Sequence, residues 1–130
     1  MALLNVCVIG TGSISDMHFQ SYQNNKFVNL HGVFDFSKQR MEEKAKQYNI
    51  AHTFNTLEDV FADSTIDAVS ICTWNNSHAE LTIAALKAGK HVLVEKPLAM
   101  NVEQALKVQE AVRETGKIVQ VGFVRRFATN

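Results

Sequence analysis

The chain has 130 residues, and its 13 Lys and Arg are balanced by 13 Asp and Glu, so the formal net charge is zero. This length suits one domain, and a neutral chain lacks the excess of cations that nucleic-acid binding requires, so we expect no nucleic-acid partner. No apolar run approaches the ~20 residues that cross a bilayer. The first residues also lack the basic start and cleavage site of a signal peptide. We therefore expect a cytoplasmic protein with no membrane partner.

The cysteines and histidines predict neither a disulfide framework nor a metal site. Cys7 and Cys72 each lie inside an apolar run, which favours reduced, buried thiols. The five histidines form no i, i+4 pair and match no zinc-site spacing. We therefore expect no bound metal.

Short apolar runs alternate along the chain with segments that carry helix signals. Several of these runs show almost no polar alternation, which is typical of strands buried on both faces of a parallel sheet. The repeated strand–helix pattern predicts a doubly wound α/β Rossmann fold with six strands in the order 3-2-1-4-5-6. The predicted strands are 3–9, 28–34, a weaker edge strand 51–54, 68–72, 91–94 and 118–121.

Capping residues predict where the helices begin and end. Ser77 and Glu80 have the spacing of a capping box, and Gly89 suits the left-handed end of the helix that follows. Asn101 and Gln104 bracket the start of the next helix, which Gly116 ends. The side chains expected to be buried on that helix are Val102, Ala105, Leu106, Val108 and Val112. A short helix opens over 56–59, and one face of another carries Met41, Ala45 and Tyr48.

A glycine turn follows the first predicted strand and opens a helix. Its residues read Gly10-Thr11-Gly12-Ser13-Ile14-Ser15. In dinucleotide-binding folds the first glycine permits the turn, the second admits the pyrophosphate, and the third allows close helix–strand packing. Ser15 replaces the third glycine, which should loosen that packing slightly. By itself this turn is also compatible with an ordinary strand-to-helix connection.

Asp35 ends the second predicted strand, 20 residues after Ser15. A carboxylate there accepts hydrogen bonds from the ribose hydroxyls of NAD and repels the additional phosphate of NADP. A solvated acid at a strand end is the alternative. Lys38 is a cation near Asp35, so NADP remains an alternative cofactor. Phe36 either stacks on the adenine or covers the sheet edge.

Two polar segments follow the fourth and fifth predicted strands, at the sheet edge where such folds bind ligands. They are Thr73-Trp74-Asn75-Asn76-Ser77-His78 and Glu95-Lys96-Pro97. In a dry crevice Lys96 could move a proton, although a surface lysine at a strand end is the alternative. Arg125 and Arg126 follow the sixth strand and suit a salt bridge to a following domain or a substrate contact.

These motifs together resemble the Gfo/Idh/MocA oxidoreductases. The resemblance runs from Gly10-Thr11-Gly12 through T-W-N-x-x-H at 73–78 and A-G-K-H-V-L-V-E-K-P-L-A at 88–99 to V-G-F-V-R-R-F at 121–127. Trp74 stands where many members have proline. A tryptophan at this position resembles the inositol dehydrogenase branch, and so does the segment V-G-F-V-R-R-F.

The resemblance implies a role for each matching residue. Glu95 and Lys96 would border the nicotinamide, Lys96 would contact the reacting hydroxyl, and the Lys96–Pro97 bond would be cis. Thr73, Trp74, Asn75 and His78 would belong to the cofactor site. Gly10, Thr11, Gly12, Ser13 and Ile14 would hold the pyrophosphate, with Asp35, Phe36 and Lys38 at the adenosine end.

We therefore expect residues 1–130 to form the NAD(P)-binding domain of a longer two-domain dehydrogenase acting on a secondary hydroxyl of a sugar or polyol. By resemblance, an absent C-terminal domain would supply an Asp/His pair, most of the substrate pocket and the contacts of a homo-oligomer. We expect the 130-residue chain to bind cofactor and to be inactive alone. A non-catalytic NAD(H) sensor and an S-adenosylmethionine-binding domain remain alternatives.

Overall fold

The computed structural model describes residues 2–122, and within them six strands alternate with five α-helices. The strands are β1 (Leu4–Ile9), β2 (Val28–Phe34), β3 (His52–Thr53), β4 (Ala68–Ile71), β5 (His91–Glu95) and β6 (Val119–Gly122). The helices are α1 (Ser15–Gln23), α2 (Lys38–Gln47), α3 (Leu57–Ala62), α4 (His78–Lys87) and α5 (Val102–Thr115), with a 3₁₀ turn over Asn75–Ser77.

The strands form one parallel sheet in the order β3-β2-β1-β4-β5-β6, as predicted. Strand pairing places the carboxyl ends of neighbouring strands side by side, with Ile9 opposite Phe34 on one side and Ile71 on the other. Glu95 is the last residue of β5 and pairs with Gly122, so β5 extends one residue beyond its predicted end. The sheet therefore gathers the residues that follow β1, β2, β4 and β5 at one edge.

The central strands form the core because helices cover both of their faces. Cys7, Val8, Ile9, Val69 and Ile71 are inaccessible to solvent, which explains why these strands show no polar alternation in the sequence. Both cysteines are free and buried, as expected, and burial raises the pKa of each thiol well above its ordinary value.

Of the two caps predicted for α4 and α5, one is confirmed and one is wrong. Asn101 accepts a hydrogen bond from the amide of Gln104 (2.9 Å), and Gln104 accepts one from the amide of Met100 (2.8 Å), so this cap is confirmed. The Ser77–Glu80 capping box is wrong. The Ser77 hydroxyl instead donates to the carbonyl of Trp74 (2.7 Å), because the 3₁₀ turn runs directly into α4.

The burial predicted for α5 is wrong at two positions. Val108 and Ala111 face the core, whereas Val102 and Leu106 are mostly exposed. The inner stripe runs through 104–105, 108 and 111–112, and Val102 and Leu106 lie outside it on the helix surface. Gly89 and Gly116 follow α4 and α5 with positive φ, as predicted.

Candidate cofactor-binding site

A crevice of about 690 Å³ lies at the carboxyl ends of β1, β2 and β4, a volume in the range of small-molecule sites. Three segments from different parts of the sequence form its walls. The lining residues are Gly10, Thr11, Gly12, Ser13, Ile14, Asp35, Phe36, Ser37, Arg40, Cys72, Thr73, Trp74, Asn76 and Ser77.

The glycine turn forms the floor of this crevice. Gly10 has φ +98°, and a Cβ atom there would lie 2.7 Å from the carbonyl carbon of Cys72, so the turn is pressed against the end of β4. A Cβ on Gly12 would meet only the Cys72 carbonyl oxygen, at 3.8 Å. The protein therefore leaves open space beside Gly12. Because Gly12 has no side chain, a ligand can use this space to approach the main chain.

Ser15 tightens the turn, contrary to the loosening expected from its side chain. The residue is fully buried, and its hydroxyl donates a hydrogen bond to the carbonyl of Gly12 (2.6 Å). The amides of Ser15 and Met17 in the first turn of α1 donate to the carbonyls of Gly12 (2.9 Å) and Ile14 (3.2 Å), so a ligand can use only the other amides at this helix start. Amides and the helix dipole together suit a phosphate group.

Asp35 is buried at the end of β2 and is joined to the glycine turn. One of its carboxylate oxygens accepts hydrogen bonds from the amide (2.8 Å) and the hydroxyl (2.6 Å) of Thr11. The other accepts one from the amide of Ser37 (2.7 Å). Burial alone would raise the pKa of Asp35, but these bonds and the nearby Arg40 outweigh it and hold the pKa below its ordinary value. Asp35 is therefore an anion at neutral pH.

A cation beside Asp35 comes from Arg40, which the sequence analysis did not single out. A guanidinium nitrogen of Arg40 lies 3.5 Å from Asp35, and Arg40 lines the crevice. Lys38 lies outside it, in a smaller neighbouring pocket, and its ammonium pairs with Glu42 at 3.9 Å. The signal that could have found Arg40 is its place in the first turn of the helix that follows Asp35.

Two aromatic side chains stand at the mouth of the crevice. Phe36 is 74% exposed and packs edge-to-face on Phe34, and Trp74 is 80% exposed. Both line the crevice from opposite segments of the chain. Exposed rings of this size at a pocket mouth suit stacking on a flat ligand.

His78 holds the loop after β4 in place and does not line the crevice. His78 is buried, and its two ring nitrogens lie 2.9 Å from the carbonyl of Thr73 and 2.8 Å from the carbonyl of Pro97. His78 therefore links the loops that follow β4 and β5 and does not line the crevice, so its place in the cofactor site stays a prediction. Asn75 also does not line the crevice, whereas Asn76 and Ser77 do.

The Glu95-Lys96-Pro97 segment lies beside the crevice rather than within its walls. Glu95 is buried and forms a hydrogen bond with Nε2 of His18 (2.6 Å), and the two line a neighbouring cleft of about 200 Å³ that shares Ile14 with the crevice. Lys96 is exposed, and the Lys96–Pro97 bond is cis, as the resemblance implies. Arg125 and Arg126 lie outside the described residues.

Two further observations on residues 2–122 concern metal binding and membrane spanning. No group of three or more His, Cys, Asp or Glu side chains there is arranged to hold a metal ion. No helix in this part of the chain has the length and apolar character needed to cross a membrane.

The sheet order, the glycine turn and the acid at the end of β2 define a dinucleotide-binding protein of the Rossmann class. Residues 4–123 match the Gfo/Idh/MocA oxidoreductase family, described as having an NAD-binding Rossmann fold. The chain therefore belongs to the Gfo/Idh/MocA oxidoreductases and is an NAD-binding Rossmann domain of that family.

Individual relatives cover nearly all of this chain. It is 31% identical over 127 residues to the myo-inositol 2-dehydrogenase of Thermotoga maritima, which covers 98% of this chain and 38% of that enzyme. It is 33% identical over 124 residues to the 4-carboxy-2-hydroxymuconate-6-semialdehyde dehydrogenase of a Sphingobium species, covering 95% of the chain and 39% of that enzyme.

A solved structure shows the same relation. The NAD-binding protein from Listeria innocua superposes with a TM-score of 0.89 at 35% identity, covering 95% of this chain and 36% of that one. The chain thus spans less than two-fifths of the length of each of these three relatives.

Proposed function

We propose that the chain is the cofactor-binding part of an NAD-dependent dehydrogenase that moves hydride between the nicotinamide and a secondary hydroxyl of a polyol or sugar. The observation that carries this proposal is the crevice, where the glycine turn and anionic Asp35 meet beside the cleft that Glu95 lines. The myo-inositol 2-dehydrogenase relative supports a polyol. The semialdehyde dehydrogenase relative makes an aldehyde the alternative substrate.

The residues of the crevice fit a dinucleotide. Gly12 and the first amides of α1 would hold the pyrophosphate, Asp35 would accept the ribose hydroxyls, and Phe36 or Trp74 would cover the adenine. When bound, the cofactor supplies the hydride acceptor. The contribution of the chain is to bind and orient that cofactor.

Lys96 is the proposed proton-transfer residue. Oxidation of a hydroxyl requires a base for its proton. Lys96 is the residue directly after β5, the strand that ends beside the crevice. A sensor of the NAD(H) pool would not need this lysine. Lys96→Ala should therefore abolish most turnover in the complete dehydrogenase, and a function that survives the change would instead indicate a sensor.

The proposal is tested by titrating the 130-residue chain with NADH while following nicotinamide fluorescence, with S-adenosylmethionine as a competitor. We expect saturable NADH binding, no competition, and little or no formation of NADH from NAD and myo-inositol by the chain alone. Tight binding of S-adenosylmethionine without binding of NADH would overturn the proposal. Turnover at rates typical of enzymes would overturn the expected inactivity of the isolated chain, and with it the expectation that an Asp/His pair and further domain beyond it are needed.

Coenzyme preference should depend on Asp35 and Arg40 rather than on Lys38. Asp35→Ser removes the charge that repels the additional phosphate of NADPH, so the affinity for NADPH relative to NADH should rise about tenfold, equivalent to ~1.4 kcal/mol. Arg40→Gln should lower that ratio, because the only described cation within 4 Å of Asp35 is lost. Lys38→Gln is the matched control and should leave the ratio unchanged. Titrations of each variant with both reduced coenzymes measure it, and an unchanged ratio in Asp35→Ser would remove Asp35 from the ribose site.

A further inference from the structure

The pair formed by His18 and Glu95 joins the helix of the phosphate site to the strand that leads to Lys96. The Nε2 atom of His18, on α1, lies 2.6 Å from the carboxylate of Glu95 at the end of β5. Both side chains are about nine-tenths buried. In the chain α1 lies between β1 and β2, and in the sheet β4 separates β1 from β5. The contact therefore links two parts of the fold that are not adjacent in the sheet.

The carboxylate of Glu95 also lies close to β6. Gly122 pairs with Glu95 in the parallel ladder, and a Cβ atom built on Gly122 would lie 3.2 Å from a carboxylate oxygen of Glu95. That spacing is tight for a new side-chain atom. The carboxylate therefore has two close neighbours, the imidazole of His18 on α1 and the main chain of β6 at Gly122.

A second polar contact from the same helix does not involve Glu95. Tyr22, one turn after His18, forms a hydrogen bond from its hydroxyl with the hydroxyl of Ser70 on β4. Of these two polar contacts made by α1, only that of His18 reaches the strand before Lys96. Tyr22 is therefore a natural control for a substitution at His18.

We infer that His18 is a positioning residue that, together with Gly122, fixes Glu95 and so sets the span between the phosphate-binding turn and Lys96. The inference rests on the proposed function, in which Glu95 and Lys96 border the nicotinamide. A dinucleotide contacts both ends of that span, whereas ADP-ribose ends before the nicotinamide. Loss of the His18 contact should therefore weaken binding of the nicotinamide end and leave the adenosine end unaffected.

The test compares NADH with ADP-ribose on the 130-residue chain by calorimetry. For His18→Ala we expect the NADH dissociation constant to rise roughly tenfold, the scale seen when positioning contacts behind a binding group are removed. The ADP-ribose constant should stay within about twofold, since phosphate and ribose contacts do not involve His18. His18→Gln, whose side-chain amide can still donate to Glu95, should restore most of the NADH affinity, and Tyr22→Phe should change neither constant.

Gly122→Ala perturbs the same carboxylate without changing α1. It therefore provides a second test if circular dichroism shows that His18→Ala is unfolded. It should weaken NADH and spare ADP-ribose in the same way. Equal weakening of both ligands, or unchanged NADH binding in the folded variants, would overturn the inference. If the unsubstituted chain binds ADP-ribose but not NADH, the proposed function fails and this inference fails with it.

Discussion

Gly10 is the most constrained residue of the crevice, because both its backbone angle and its surroundings exclude a side chain. Gly89 has a similar φ of +83°, but no atom lies within 4 Å of a Cβ built there. The two glycines therefore separate the cost of backbone strain from the cost of a steric clash.

We expect Gly10→Ala to lower the free energy of unfolding by about 2–4 kcal/mol, because strain and displacement of the β4 main chain add. Gly89→Ala should cost only about 1 kcal/mol, the strain alone. Urea denaturation followed by circular dichroism measures both. Equal losses would show that the contact with Cys72 carries no energetic penalty.

Asp63 is a second residue whose role depends on contacts made after folding. The Thr65 hydroxyl and amide and the His31 ring hold the pKa of Asp63 at about 2, against the opposing effect of burial. A lowered folded pKa means that the unfolded chain binds more protons in acid. The stability contributed by Asp63 is therefore present above about pH 4 and is lost as the pH falls towards about 2.

Asp63→Asn should accordingly lower the free energy of unfolding at neutral pH and make its decline between about pH 4 and 2 shallower. Asp59→Asn, a change at an exposed acid, is the control and should retain the decline of the parent chain. Urea titrations across this pH range measure the slopes. A carboxyl NMR titration with its midpoint near the ordinary aspartate value would contradict the assignment.

At the scale of elements, the sequence predicted the ends of α5 correctly but not all of its buried side chains. Its start at Asn101 and its end at Gly116 depend on neighbouring residues, and both were predictable from the sequence. Its orientation depends on packing with α4, and the apolar character of Val102 and Leu106 could not reveal that they face outward.

The two faces of α5 should differ in their response to truncation. Val108→Ala should lower the free energy of unfolding by about 2 kcal/mol, because it removes buried methyl groups. Leu106→Ala should stay within about 0.5 kcal/mol, as is usual for exposed positions. Chemical denaturation of both variants measures the difference, and a larger loss for Leu106→Ala would mean that the helix packs through its other face.

At the scale of the whole molecule, the position of each strand in the sheet should set its resistance to opening. β1 and β4 are central and fully buried over most of their length, whereas β3 has two residues at one edge. We expect the β1 and β4 amides to exchange hydrogen only through global unfolding and the β3 amides to exchange first. Native-state hydrogen exchange measures this order, and comparable protection at β3 would contradict it.

Most elements and the glycine turn could be predicted from the sequence because they arise from local periodicity, capping and turn chemistry. The parallel topology followed, since right-handed crossovers allow few arrangements of such elements. For this reason Gly10 to Ile14, Asp35, Phe36, Thr73 and Trp74 were predicted, and the crevice contains them.

Only the tertiary structure decided which side chains meet. His18 and Glu95 are 77 positions apart, and His78 and Pro97 are 19 apart, so no local pattern links them. The same is true of exposure: Arg40 lines the crevice and Lys38 does not, although both lie in the first turn of α2. The sequence by itself determined the elements and the cofactor class, because those depend on neighbours along the chain. Packing decided the contacts around Glu95, because they depend on neighbours across the sheet.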